Sequence, residues 1–311
     1  MRRNYNSFAK IQLKRASYNG ITLASQARDE GSIPFARSTN PLYCMLSLPI
    51  TISVNHSSAA PLMMPLCQNK ILVHKLTVTV PKIAQMTNPH HRKVRSFVRR
   101  PGRITNAQHK ALRDLLPLFS IPFQNHPINP EKIFSREAPR VLDIGFGDGE
   151  ALLTLSINNP SVDYLGVEVH EPGIGHLLLL LERAKTSNVW IIRHDASEVL
   201  DHMLPDQLFS AVNLFFPDPW PKKRHHKRRL VQVKFILDVA RVLKSGGLFH
   251  VATDWNDYAE HIRCVLKESN QFTSSTEQDE VDFLSKRPPT KFERRGRQLG
   301  HDVTDLYFRK V

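Results

Sequence analysis

With 311 residues, 41% of them hydrophobic, the chain can bury a sizeable core in one large domain or two small ones. A formal net charge of +14 favours anionic partners such as nucleic acid or acidic lipid. No apolar stretch approaches the ~20 residues of a membrane span, and Cys44, Cys67 and Cys264 have no CxxC spacing, which excludes a disulfide-stapled class and suits a reducing cytosol.

Residues 1–85 hold 10 Lys and Arg against 2 Asp and Glu, a net of +8, and show no sustained period of 2 or 3.6. A targeting segment or a disordered extension fits that composition. Gly31-Ser32-Ile33-Pro34 is encodable by codons containing GTTCGATTCC, a string like the T-loop of a transfer RNA gene. The expectation is therefore that the start is mis-assigned and that translation begins at Met86. Residues 86–311 carry 33 basic against 27 acidic residues, a net of +6.

Residues 86–104 form a basic arm, with Arg92, Lys93, Arg95, Arg99, Arg100 and Arg103 and no acid between 90 and 103. Thr105 is placed to cap a helix over 106–116, stopped by Pro117. Residues 120–139 hold four prolines and read as a loop. From Arg140 strands and helices alternate. Strands are expected over 141–145, 164–169, 189–194, 209–216, 248–253 and 302–310, with helices over 150–158, 172–185, 196–203, 230–243 and 255–267 between them. This is the pattern of an α/β doubly wound, mostly parallel sheet, with the folded domain spanning 105–311. Ligands of such sheets sit beyond the carboxyl ends of the strands, where Asp143, Glu168, Asp195, Asp218 and Asp254 all fall.

Asp143-Ile-Gly-Phe-Gly-Asp-Gly149 is a glycine turn after the first strand. Gly145 and Gly147 let the backbone bend and approach a ligand. The G-x-G-x-G spacing and the leading Asp143 disfavour a pyrophosphate and suit the cationic end of S-adenosylmethionine. Glu168 is placed for both ribose hydroxyls and Asp195 for the adenine amino group. A single acid in such a place is often only a helix cap, but acids at successive strand ends point to a cofactor.

Residues 215–229 read Phe-Phe-Pro-Asp-Pro-Trp-Pro-Lys-Lys-Arg-His-His-Lys-Arg-Arg. Pro217 and Pro219 restrict the backbone on both sides of Asp218. That carboxylate can accept from N1–H and N2–H of guanine together, and Trp220 offers a stacking face. The basic run Lys222–Arg229 suits phosphates, with a solvated surface as the plain alternative. His225 and His226 are adjacent and lack a carboxylate at ligand spacing, so no metal is expected.

From Val94 to the C-terminus the chain resembles the tRNA (guanine-N7)-methyltransferases of the bacterial single-subunit type. The resemblance rests on Arg95–Leu112, Val141–Gly149, Gly166–Gly175, His194–Val199, Phe215–Val233, Ala252–His261 and Thr290–Leu306. It implies a Rossmann-like class I methyltransferase sheet of seven strands, and transfer of a methyl group from S-adenosylmethionine to N7 of guanine 46 in the tRNA variable loop. It further implies cofactor contacts at Asp143, Glu168, Asp195 and Asp218, with Asp218 as the active-site acid. Substrate contacts are implied at Lys222, Asp254, Thr290, Lys291, Phe292 and Glu293, and RNA contacts at Arg224, His225, His226, Lys227, Arg228 and Arg229. Asp143 stands where the family often has Glu, and Thr304 where a tryptophan is expected. The implied partner is tRNA, with neither membrane nor metal, for a cytoplasmic monomer or weak homodimer. Competing readings are another RNA-base methyltransferase on the same fold, a noncatalytic tRNA-binding protein and an NAD-dependent oxidoreductase.

Overall fold

Short apolar runs bounded by turn residues become strands here because both of their faces are covered by helices. β1 (Arg140–Ile144), β2 (Asp163–Val167), β3 (Val189–Ile192), β4 (Phe209–Phe215), β5 (Leu243–Thr253), β6 (Phe272–Ser275) and β7 (Thr304–Lys310) form one sheet in the order β3-β2-β1-β4-β5-β7-β6. β1 to β5 pair in parallel, and β7 runs antiparallel to both β5 and β6. The computed structural model describes residues 95–97, 102–276 and 286–311. The expectations for residues 1–85, and for most of the arm 86–104, lie outside them.

The helices are α1 (Asn106–Asp114), α2 (Leu116–Phe119), α3 (Pro130–Ile133), α4 (Glu150–Asn158), α5 (Glu171–Ala184), α6 (Ala196–His202), α7 (Val233–Val242), α8 (Asn256–Ser269) and α9 (Lys291–Gln298). Alternation along each strand divides the core into two layers. Val141 joins the cluster of Leu152, Leu177 and Leu181 on one face. Leu142 and Ile144 join Val199, Ile236 and Ile262 on the other. A fully buried aliphatic side chain of this kind contributes about 1.5–3 kcal/mol relative to exposure. Among the described residues no helix is long and apolar enough to cross a membrane.

Local details depart from the sequence reading for physical reasons. Thr105 does cap α1, with a reciprocal bond from its own N–H to Gln108. Pro117 does not stop the helical path, because it lies in the first turn of α2, where a missing N–H costs nothing. Pro130 likewise opens α3 inside the expected loop. The seventh strand, β6, was not among those expected from the alternation, since its Phe-Thr-Ser-Ser carries one apolar residue at a sheet edge. β5 starts at Leu243 rather than at residue 248 as expected, and so takes in Gly246 and Gly247.

β1, β2 and β3 step to one side of the sheet, and β4 and β5 to the other. The crevice this leaves lies at the carboxyl ends of β1 and β4.

Candidate active site

A cavity of about 670 Å³ opens at that crevice. Of the residues expected at the site, Gly145, Gly147, Glu168, Asp195, Asp218 and Phe292 line it together with Trp220. Its wall follows from how each strand ends.

β1 ends in a loop with Gly145, Gly147 and Gly149 at φ of 74°, 60° and 79°, a region that side chains rarely adopt. Glu168 follows β2 and fastens this loop. Its Oε2 accepts from Gly147 N–H at 2.9 Å, and its Oε1 accepts from Val169 and His170 N–H at 2.6 and 2.9 Å. A carboxylate has about four acceptor sites, so one remains beyond these three bonds for a ligand hydroxyl. Asp195 follows β3 and caps α6, its Oδ1 accepting from Ser197 N–H at 3.0 Å. The helix-cap role is therefore real, and Asp195 also faces the cavity. Asp143 is only 2% exposed and is not a lining residue. Burial, and then the charge of Glu168, push its carboxyl up to about 7.

Asp218 sits in a turn that is strained on both sides. Phe216 and Trp220 have φ of 52° and 45°, each costing of order 1–3 kcal/mol for a bulky residue. The turn is held from outside its own sequence. Phe216 N–H donates to Ala252 O at 2.7 Å, Trp220 Nε1 donates to Ser96 O at 3.0 Å, and Arg229 Nε donates to Pro219 O at 2.9 Å. Prolines alone do not account for its rigidity.

The basic run after the turn is not one surface. Its 3-10 helix, Lys223–Arg228, is separate from α7, which starts at Val233 rather than at residue 230 as expected. Lys222, Lys223, Arg224 and Lys227 are exposed. Arg228 stacks over Trp220 at 5.0 Å and His225 meets the same ring edge-on at 5.8 Å. Desolvation, then Arg224 and Arg228, hold the His225 imidazole below its ordinary pKa. Arg229 departs from the expected exposure. Its side chain is 1% exposed and is committed to Pro219 O, to the Asp257 carboxylate and to the face of Tyr258 at 4.9 Å.

The second polar motif builds α9. Thr290 caps it, accepting from Glu293 N–H at 3.1 Å. Phe292 is 59% exposed and reaches the cavity from the first turn. Glu293 is 4% exposed and turns inward. Burial raises its pKa, but hydrogen bonds from Arg287 and Arg297 outweigh this and hold the carboxylate below its ordinary range. Lys222, Asp254, Thr290, Lys291 and Glu293 are not among the lining residues. Asp254 lies under α9, where a Cβ on Gly296 would come within 3.0 Å of its Oδ2.

Sequence reasoning passed over several residues here. His194 also lines the cavity, stacked on Phe123 at 3.7 Å with its Nε2 at 2.6 Å from Glu198 Oε2. Its place just before Asp195 at a strand end was the available signal. Gly296 fell within the Thr290–Leu306 resemblance, but its packing on Asp254 gave no local signal, and neither did the fork of Arg287 on Asp305. Among the described residues no group of three His, Cys, Asp or Glu side chains is arranged to hold a metal ion.

A parallel sheet with one reversed strand, a glycine loop after β1 and acids at the following strand ends defines a Rossmann-like class I methyltransferase. The methyltransferase family model Methyltransf_4 matches residues 137–306. The tRNA (guanine-N(7)-)-methyltransferase of Alkalilimnicola ehrlichii is 50% identical over 221 residues, covering 70% of this chain and 93% of the relative. The enzyme of the same name from Nitrosococcus oceani is 50% identical over 219 residues, covering 70% and 92%. Among solved structures, the 16S rRNA methyltransferase KamB aligns at 15% identity and a TM-score of 0.42, covering 68% of this chain and 97% of its own. The chain belongs to the tRNA (guanine-N(7)-)-methyltransferase family.

Proposed function

We propose that this protein transfers a methyl group from S-adenosylmethionine to N7 of a guanine in tRNA, at position 46 of the variable loop. The observation that carries the reading is Asp218. It lies on the wall of one cavity with Glu168 and Asp195, in a turn that leads directly into an exposed basic helix.

The residues fit the cofactor. Glu168 holds the glycine loop in place and keeps an acceptor for the ribose, Asp195 can accept from the adenine amino group, and Gly145 and Gly147 let the backbone come close. When bound, the cofactor supplies an electrophilic methyl on a sulfonium. Guanine N7 already carries a lone pair, so no side chain has to remove a proton from it. Asp218 accepts from N1–H and N2–H, which fixes the ring and selects guanine over adenine. Its negative charge also favours the positive charge that develops on the ring. Most of the acceleration is assigned to orientation, which supplies up to ~7–11 kcal/mol for well-placed reactants. Phe292 and Trp220 are assigned to the base, and Lys222, Lys223, Arg224 and Lys227 to phosphates. A cytoplasmic location follows from the substrate.

Incubation of unmodified bulk tRNA with methyl-labelled cofactor, followed by nucleoside analysis, tests this. Label is expected in 7-methylguanosine and to disappear in Asp218→Asn. Label in any other nucleoside overturns the reading.

A further inference from the structure

Arg287 precedes α9 and is 8% exposed, so no phosphate or base reaches it freely. Its guanidinium nevertheless uses every edge. Nε and Nη2 donate as a fork to the two carboxylate oxygens of Asp305, both at 2.9 Å. Nη1 donates to Glu293 Oε2 at 2.5 Å. Its central carbon lies 5.4 Å from the Phe215 ring and 5.6 Å from the Phe216 ring. Asp305 on β7 is held in turn by His250 Nε2 at 2.8 Å, and the His250 ring stands edge-on to Phe215 at 5.0 Å. One side chain thus joins β7, the end of β4 three residues before Asp218, and the first turn of α9.

We infer that Arg287 is a positioning residue that fixes the Thr290–Glu293 turn against the Phe215–Asp218 strand end, so that both meet the substrate in one relative placement. The inference rests on the methyl-transfer reading above. A guanidinium suits the task because its planar fork spans two carboxylates while its face lies on aromatic rings. A lysine in its place keeps the charge but not the fork.

The plain alternative is that Arg287 only stabilises the fold. Removing it alone leaves the buried Glu293 with Arg297 only and the half-buried Asp305 with His250 only, a loss of partners that by itself can lower stability. The test therefore uses Arg287→Lys, which keeps the charge, and Arg287→Met with Asp305→Asn, which removes one orphaned carboxylate. Steady-state methylation of tRNA, calorimetric titration of S-adenosylmethionine and thermal melting are measured on each. The expected result is cofactor affinity and KM for tRNA within about threefold of the parent, and kcat lowered at least about tenfold, the signature of lost orientation. A parental kcat in a folded Arg287→Lys protein, or in the folded Arg287→Met with Asp305→Asn double variant, overturns the inference. If the parent labels an atom other than guanine N7, the functional reading fails, while the kcat split for the atom that is labelled still decides the role of Arg287.

Discussion

Asp143 is the residue whose charge is least at home. It lies at the end of β1, buried, with Glu168 nearby and a pKa of about 7 against an ordinary 3.8. The folded state favours its protonated form. Stability linked to this group is therefore complete below about pH 3.8 and is lost as pH climbs towards 7, by up to ~1.4 kcal/mol per pH unit. Asp143→Asn, nearly the same shape without the charge, is expected to remove that slope and to melt higher than the parent at pH 8. The opposite holds for a cationic ligand. The ionised carboxylate attracts it through the wall of the cavity, so affinity for S-adenosylmethionine should rise with pH from 5.5 to 7.5 in the parent and stay flat in the variant. Melting curves and calorimetric titrations across that range check both expectations. A parallel pH dependence in the two proteins contradicts the assignment.

The glycine loop and the helix behind it act as one element. Gly173, in the first turn of α5, packs so closely that an added Cβ would lie 2.0 Å from Gly147 O. By helix propensity alone, Gly173→Ala should stabilise the protein by up to ~1 kcal/mol. At 2.0 Å the contact is with backbone that has to move, and the backbone that moves carries the Gly147 N–H bound to Glu168. The expected outcome is cofactor affinity lowered at least about tenfold, or ~1.4 kcal/mol, in a protein that still folds. An unchanged dissociation constant would show that the loop gives way without consequence. What was legible in the sequence follows the same division between local and remote. Strand ends and the acids beyond them were legible because buried parallel strands are short apolar runs, and an acid after such a run stands out. β6 was not, since an edge strand needs few apolar residues. The capping box at Thr105 was half visible as a Thr before a helix, whereas Pro117 and Pro130 were read as breakers because only context separates a first helical turn from a stop. The contacts of Arg287 and Gly296 were illegible, since Asp305 and Asp254 lie 18 and 42 positions from them and no local period records such a contact.

For the whole molecule, net charge is a poor guide to RNA binding, and the run after Asp218 shows why. As a sequence, Lys222–Arg229 is one block of positive charge. In the fold it divides into exposed cations, an arginine stacked on Trp220, and Arg229, which is buried and supports the Asp218 turn. The two ends should then fail differently. Each lost phosphate contact lowers the slope of log affinity against log salt by about 0.7–0.9. Lys223→Ala combined with Lys227→Ala is expected to lower that slope by about 1.4–1.8, with kcat at saturating tRNA changed less than about twofold. Arg229→Met is expected to leave the slope alone and to lower kcat, because the Pro219 carbonyl loses the donor that holds a turn with two left-handed residues. That variant also takes the buried guanidinium from Asp257, but Asp257 is 62% exposed and stays hydrated, so the lost pair should lower stability by only about 0–1 kcal/mol. Filter binding of tRNA between 50 and about 200 mM salt, alongside single-turnover methylation, separates the two behaviours. If Arg229→Met lowers the salt slope as much as a lysine change does, its guanidinium reaches RNA after all, and the division of the run into binding and supporting halves falls.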